Sequence, residues 1–182
     1  MKKAKMITND EAKRIVAALP RLHRDIFRFC CETGVRISDA LALPAYAVGK
    51  ITYIPEKKTG KMKIATLSDE LLADLANKKF DYFLIDGRMV PILNRSKLLF
   101  PGRRSDERPL HRSTYHRALK RASAATGIAF SAHSTRKLYA WNVFEATKDI
   151  FEVQKALNHK YVTTTADYLG VDLRGLVNRA LV

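Results

Sequence analysis

At 182 residues the chain is long enough for one domain that buries roughly two thirds of its unfolded surface, with no metal or disulfide staple required. Hydrophobic residues at 47% and charged residues at 28% exclude the disordered, collagen-like and membrane-spanning classes. The unusual quantity is charge: 33 Lys and Arg against 18 Asp and Glu leave +15, which repels itself unless a polyanion answers it, so nucleic acid is the leading partner.

A basic membrane-surface protein is the competing reading. The sequence offers it no apolar run of about 18 residues, no lipidation motif and no basic helix with an aromatic face. Met1-Lys2-Lys3-Ala4-Lys5-Met6 is basic with no apolar stretch behind it, so it is not a secretory signal, and a cytoplasmic, nucleoid-associated protein is expected. Cys30 and Cys31 are adjacent and lack a second pair, which leaves them as buried structural thiols.

Thr8 is an N-cap type residue, Asp10 and Glu11 follow where a helix N-terminus favours acid, and Ile15, Val16 and Leu19 share one face. Pro20 ends this first helix. A second is expected from about Arg21 to Glu32, burying Leu22, Ile26, Phe27 and Phe29, with Gly34 as its left-handed stop. A short helix from Ile37 to Leu43 follows, then a loop between Pro44 and Gly49. Ile51, Tyr53 and Pro55, with Met62, Ile64 and Thr66, alternate around Lys58-Thr59-Gly60 as a β-hairpin. Ser68 caps a helix to about Ala76, and between Phe80 and Leu99 the pattern offers only a short strand at Tyr82 to Ile85.

From Arg95 to Arg121 stand nine basic and two acidic residues, a net +7 in 27 positions. Its second half, Ser113 to Thr126 ending at Gly127, reads as a helix that puts Arg117, Lys120 and Arg121 on consecutive turns. Such a run is either a solvated helix face or a phosphate-contacting one. For the second role the DNA-contact candidates are Arg103, Arg104, Arg112, Arg117, Lys120 and Arg121. Helices are expected at Thr135 to Ala146, Asp149 to Leu157 and Thr164 to Leu169, with a terminal one after Asp172. The fold class is mainly α with a small antiparallel β-sheet (α+β), without repeats or a long linker.

His133-Ser134-Thr135-Arg136 sets an imidazole and a guanidinium three apart at a helix start, which suits a phosphate; a plain capping His is the alternative. Arg36 directly follows the turn formed by Gly34 and Val35, and Lys58 sits at the hairpin tip. His159 precedes Tyr168 by nine residues, Tyr168 otherwise reading as a core aromatic. Taken together these residues resemble the catalytic domain of the tyrosine recombinases, the phage integrase family. The resemblance rests on Thr-Gly-Val-Arg-Ile-Ser-Asp at 33–39, Lys-Thr-Gly at 58–60, His-x-x-Arg at 133–136, Leu-x-His at 157–159 and the terminal Tyr168. Ile7-Thr8-Asn9-Asp10-Glu11 is similar to the family's first catalytic-domain helix, so the likeness covers roughly residues 7 to 170. Two positions depart from it: Asn158 stands where Gly usually precedes the His, and Lys137 where a second His often follows the Arg.

The resemblance implies a catalytic set of Arg36, Lys58, His133, Arg136, His159 and Tyr168. Breaking a phosphodiester without a metal needs cations at two non-bridging oxygens, a nucleophile and an acid for the leaving 5′ oxygen. Arg36 and Arg136 would clamp the phosphate and His159 would donate to it. Tyr168 would attack to form a 3′-phosphotyrosyl bond, Lys58 would protonate the leaving oxygen and His133 would assist proton transfer from Tyr168. No cofactor is implied, and no metal, because His111, His116, His133 and His159 lack Cys or carboxylate companions at ligand spacing.

The expected organisation is a tail at 1–6 and a single catalytic domain at 7–182, with no N-terminal core-binding domain. Double-stranded DNA is the expected partner, with a homotetramer on two DNA sites when active and a monomer possible when free. Residues 170–182 form a tail helix whose apolar stripe packs on its own domain or docks on a neighbouring protomer. Two other functions fit the same residues: a type IB topoisomerase-like enzyme that relaxes DNA, and a DNA-binding module of this fold that does not cut.

Overall fold

The computed structural model describes residues 5–172, and the terminal helix expected after Asp172 lies outside them. Helix α1 (Asn9–Ala18) starts with a capping box: Thr8 Oγ1 accepts from the Glu11 amide while the Glu11 carboxylate accepts from the Thr8 amide. Helix α2 (Arg21–Thr33) stops at Gly34, whose φ of 64° is left-handed. Any Cβ there would also lie 2.1 Å from the Tyr139 ring, so glycine is required twice over. Helix α3 (Ile37–Leu41) is two residues shorter than expected.

Strands β1 (Ile51–Pro55) and β2 (Met62–Thr66) pair antiparallel in the register Ile51–Thr66, Tyr53–Ile64 and Pro55–Met62. The expected alternation is present, but its apolar members Ile51, Tyr53, Met62 and Ile64 face solvent. Thr52, Ile54, Lys63 and Ala65 turn inward, because that parity faces α2 and α3.

Helix α4 (Asp69–Ala76) is capped by Ser68 as expected. The single strand read beyond it is a hairpin of β3 (Phe80–Ile85) and β4 (Arg88–Leu93). Its turn is Asp86-Gly87, with φ of 48° and 75°, a type I′ pair that fits the strand twist. Strands β5 (Pro101–Gly102) and β6 (Ser105–Pro109), too short and polar to show a period, form a third hairpin. Among the described residues the β content is therefore three separate two-stranded hairpins rather than one sheet, within the mainly α fold expected.

Helices α5 (Arg112–Thr126) and α6 (Ala132–Thr147) are followed by α7 (Ile150–Ala156) and α8 (Val162–Leu169). Helix α6 begins three residues before the expected Thr135, because Ser131 caps it in a reciprocal box with Ser134. It serves two cores. Leu138 joins Ile26, Phe27, Phe29, Leu71, Tyr115 and Leu119 from the preceding elements, while Ala140 and Phe144 pack with Val153 of α7, Leu157 just after it, and Ala166 and Leu169 of α8. A helix that feeds cores on different sides shows no single apolar stripe.

Candidate active site

Gly34 turns the chain so that Arg36 becomes the residue ahead of α3, and the β1–β2 turn brings Lys58 to the same place. Arg36, Lys58, His133 and Arg136 line one cleft of about 380 Å³, together with Arg112 and His116. Tyr168 on α8 joins through its ring, whose centroid is 5.5 Å from that of His133 and 5.6 Å from that of His159, both nearly perpendicular. Lys137 places its ammonium 5.5 Å over the same ring. All six residues expected to be catalytic are thus gathered from five stretches of chain.

Arg136 is only 2% exposed, the largest fully buried side chain among the described residues. Its Nη1 donates to the Gly34 carbonyl at 2.5 Å and to Glu56 Oε1 at 3.2 Å, and its Nη2 donates to the Leu157 carbonyl at 2.8 Å. Arg36 donates to the same Glu56 oxygen at 2.9 Å. The second oxygen of Glu56 accepts from Asn158 Nδ2 at 3.0 Å and Thr59 Oγ1 at 3.1 Å. Burial alone pushes the Glu56 carboxyl up, but Asn158, the two guanidiniums and Thr59 outweigh it and hold it below the ordinary value.

Burial lowers the pKa of His159 to about 4, assisted by Arg136, Arg36 and His133 against the opposing pull of Glu56. Burial and the surrounding cations, Arg136 first, also lower His133. Both imidazoles are therefore neutral at pH 7. His159 Nδ1 lies 3.0 Å from Thr165 Oγ1. If that hydroxyl donates, Nε2 of the neutral ring carries the proton and can serve as a donor. Burial raises Tyr168 to about 12 although Arg136 and Arg36 pull it down, and its hydroxyl is buried with no hydrogen-bond partner among the described residues.

Of the DNA-contact candidates only Arg112 lines the cleft. Arg103 and Arg104 stand exposed on the β5–β6 turn, and Arg117, Lys120 and Arg121 are exposed along α5. Cys30 is buried and its thiol is raised to about 12, chiefly by burial, which makes it inert; Cys31 is only partly buried.

Sequence reasoning missed Glu56 and Lys63. Lys63 is buried, donates from Nζ to the Ala156 carbonyl at the end of α7, and lies 4.6 Å over the Tyr139 ring. Burial and Arg136 lower its pKa to about 8. Thr52, Ile54 and Glu56 share one face of the hairpin, but the larger apolar residues lie on the other, so only the fold reveals that this carboxylate is buried and needs cationic partners.

Comparison with known proteins identifies the family and the fold. The phage integrase family matches residues 5–173. A probable integrase/recombinase, YoeC of Bacillus subtilis, is 28% identical over 150 residues, covering 81% of this chain and 76% of that protein. Of other curated relatives, tyrosine recombinases among them, the chain spans 44% to 59% of the length. The crystal structure of XerA recombinase superposes with a TM-score of 0.73 at 23% identity, covering 98% of this chain and 65% of that one. A lambda integrase tetramer bound to a Holliday junction gives 0.64 at 23% identity, covering 90% of this chain and 49% of that one. Likeness at such identity is a likeness of fold. The family match extends over nearly the whole chain, through the Arg36, His133–Arg136 and Tyr168 motifs, and the protein belongs to the phage integrase family.

Proposed function

We propose that this chain is the catalytic domain, residues 7–182, of a site-specific DNA recombinase that cleaves and rejoins strands through a 3′-phosphotyrosyl intermediate without metal or ATP. The carrying observation is the Tyr168 hydroxyl, buried without a partner among the described residues and ringed by His133, His159 and the Arg36–Arg136 pair. A buried polar atom left unpaired costs stability, and a phosphate oxygen entering the cleft is the partner that would offset that cost.

In this reading Arg36 and Arg136 carry the charge that builds on the non-bridging oxygens, and His159, protonated on Nε2 when Thr165 donates to Nδ1, donates to the same group. Tyr168 attacks phosphorus. Its proton passes to neutral His133, whose lowered pKa makes it a weak base that gains strength once a phosphate dianion-like transition state draws close. Lys58, exposed at its turn and lining the cleft, protonates the leaving 5′ oxygen. The phosphotyrosyl bond conserves the energy of the diester, so resealing needs no nucleotide. The positive charge of the chain, Arg103 and Arg104 on their turn, and Arg112, Arg117, Lys120 and Arg121 along α5 supply the double-stranded DNA footprint. The lambda integrase solved as a tetramer bound to a Holliday junction supports a homotetramer, which in this reading spans two DNA sites. The apolar residues within 170–182 would then dock on a neighbouring protomer.

The test is a covalent trap on nicked suicide duplexes in EDTA. An SDS-resistant adduct that maps to Tyr168 and is lost in Tyr168→Phe is the expected result. DNA relaxation with no recombinant product, or binding with no adduct on any substrate, would overturn the recombinase reading. Deletion of residues 171–182 is expected to impair exchange, and unchanged assembly would refute the docking role.

A further inference from the structure

The six-residue set leaves out the group on which both of its arginines lean. Glu56 Oε1 holds Arg36 and Arg136 at 2.9 and 3.2 Å, and Oε2 holds Asn158 and Thr59 at 3.0 and 3.1 Å. A carboxylate has about four lone-pair sites, and four donors occupy them here, so the plane of this carboxyl is locked. Thr59 is the neighbour of Lys58 in the β1–β2 turn, and Asn158 is the neighbour of His159. Arg136 also grips the Gly34 and Leu157 carbonyls, one in the turn that leads to Arg36 and the other in the turn that leads to His159.

We infer that Glu56, oriented by Asn158, is the positioning residue of this site: it sets the two guanidiniums against one carboxylate oxygen and ties the Lys58 and His159 turns to them. The inference rests on the reading of Arg36 and Arg136 as a phosphate clamp. Two like charges converging on one point repel each other and hold their places only with an anion between them. Arg36 keeps 21% of its side chain exposed, so donors remain for an incoming phosphate while Glu56 holds its Nη1.

Asn158 carries the argument that separates positioning from mere structure. Its φ is 53°, the left-handed region where glycine is the easy occupant and where the resembled family usually has Gly. Backbone conformation alone would favour Gly here. What Asn adds is the amide that reaches Glu56 Oε2.

The experiment compares Asn158→Gly, Glu56→Gln and the double variant by melting temperature, duplex binding, single-turnover cleavage of a nicked suicide duplex, and the side-chain Nε–H resonances of Arg36 and Arg136 in the free protein. Asn158→Gly loses the bond to Glu56 while easing the left-handed turn, so it is expected to melt within about a few degrees of the wild type and to bind DNA as well, yet to cleave about tenfold more slowly, with both arginine resonances displaced. Glu56→Gln is expected to slow cleavage about a hundredfold, and adding Asn158→Gly to it to cost nothing further, the signature of two groups acting as one. Wild-type cleavage in Asn158→Gly with unmoved arginine resonances would show that Asn158 serves only its turn and would overturn the inference. If the wild type forms no adduct, the functional reading fails. The resonances then decide the positioning claim alone: displacement upholds it and constancy refutes it.

Discussion

Replacing Tyr168 by Phe removes a single hydroxyl, the one buried without a hydrogen-bond partner among the described residues. Such an atom costs about 1–3 kcal/mol relative to hydration, and Phe keeps the ring contacts with His133 and His159. The variant is therefore expected to be more stable than the wild type, by about 1 kcal/mol, while losing all adduct formation. For a chain of this size that gain raises Tm by about 2–4 °C. Urea unfolding at pH 8 is the assay, with a higher midpoint at unchanged slope as the expected outcome. The pH dependence follows from the hydroxyl being raised to about 12 in the folded protein against an ordinary value near 10. Below pH 10 both states hold the proton. Between about 10 and 12 the unfolded chain releases it first, so wild-type stability falls and the advantage of the Phe variant widens. A Tyr168→Phe protein less stable by 1 kcal/mol or more would mean the hydroxyl is bonded, and the view of it as an unpaired group awaiting phosphate would be wrong.

Arg136→Ala strands the Gly34 and Leu157 carbonyls and leaves Glu56 with one guanidinium, so a loss of about 3–5 kcal/mol is expected by chemical denaturation; a loss under 1 kcal/mol would refute its structural role. His159, at about 4, refuses in the folded state a proton that the unfolded chain accepts below about 6.5. Stability is thus full above pH 6.5 and declines toward pH 4, and His159→Gln is expected to flatten that decline; an unchanged slope would remove His159 as its source. For Arg112, Arg117, Lys120 and Arg121, each Ala variant is expected to reduce the salt slope of DNA binding by about 0.9, and any residue whose loss leaves the slope alone lies outside the footprint.

Signals confined to a few neighbouring residues were legible without coordinates. Thr8 with Glu11 and Ser68 mark helix starts by side-chain caps, Gly34 and Gly127 mark helix ends by left-handed backbone, and the helices they bound lie where expected to within a few residues. The six candidate catalytic residues were legible as motifs in order, because each sits in a local turn or helix start that has its own pattern. The Asp86-Gly87 turn is local too, but Pro91 interrupts the second strand and masks the hairpin pattern.

What required tertiary structure was every partnership across distance. Glu56 meets residues 20, 80 and 102 positions away, and Lys63 meets the end of α7, 93 positions on. Nothing in the spacing of Lys58-Thr59-Gly60 says that the carboxylate two residues earlier faces inward. That depends on which side of the hairpin α2 and α3 cover, and the apolar pattern of Ile51, Tyr53, Met62 and Ile64 pointed to the other side. Local hydrogen bonding writes its rules into adjacent residues, whereas a buried charge is defined by groups the folded chain brings from elsewhere. The sequence by itself therefore determined the family and the candidate chemistry, and only the packing of the two cores decided which carboxylate would hold the arginines in place.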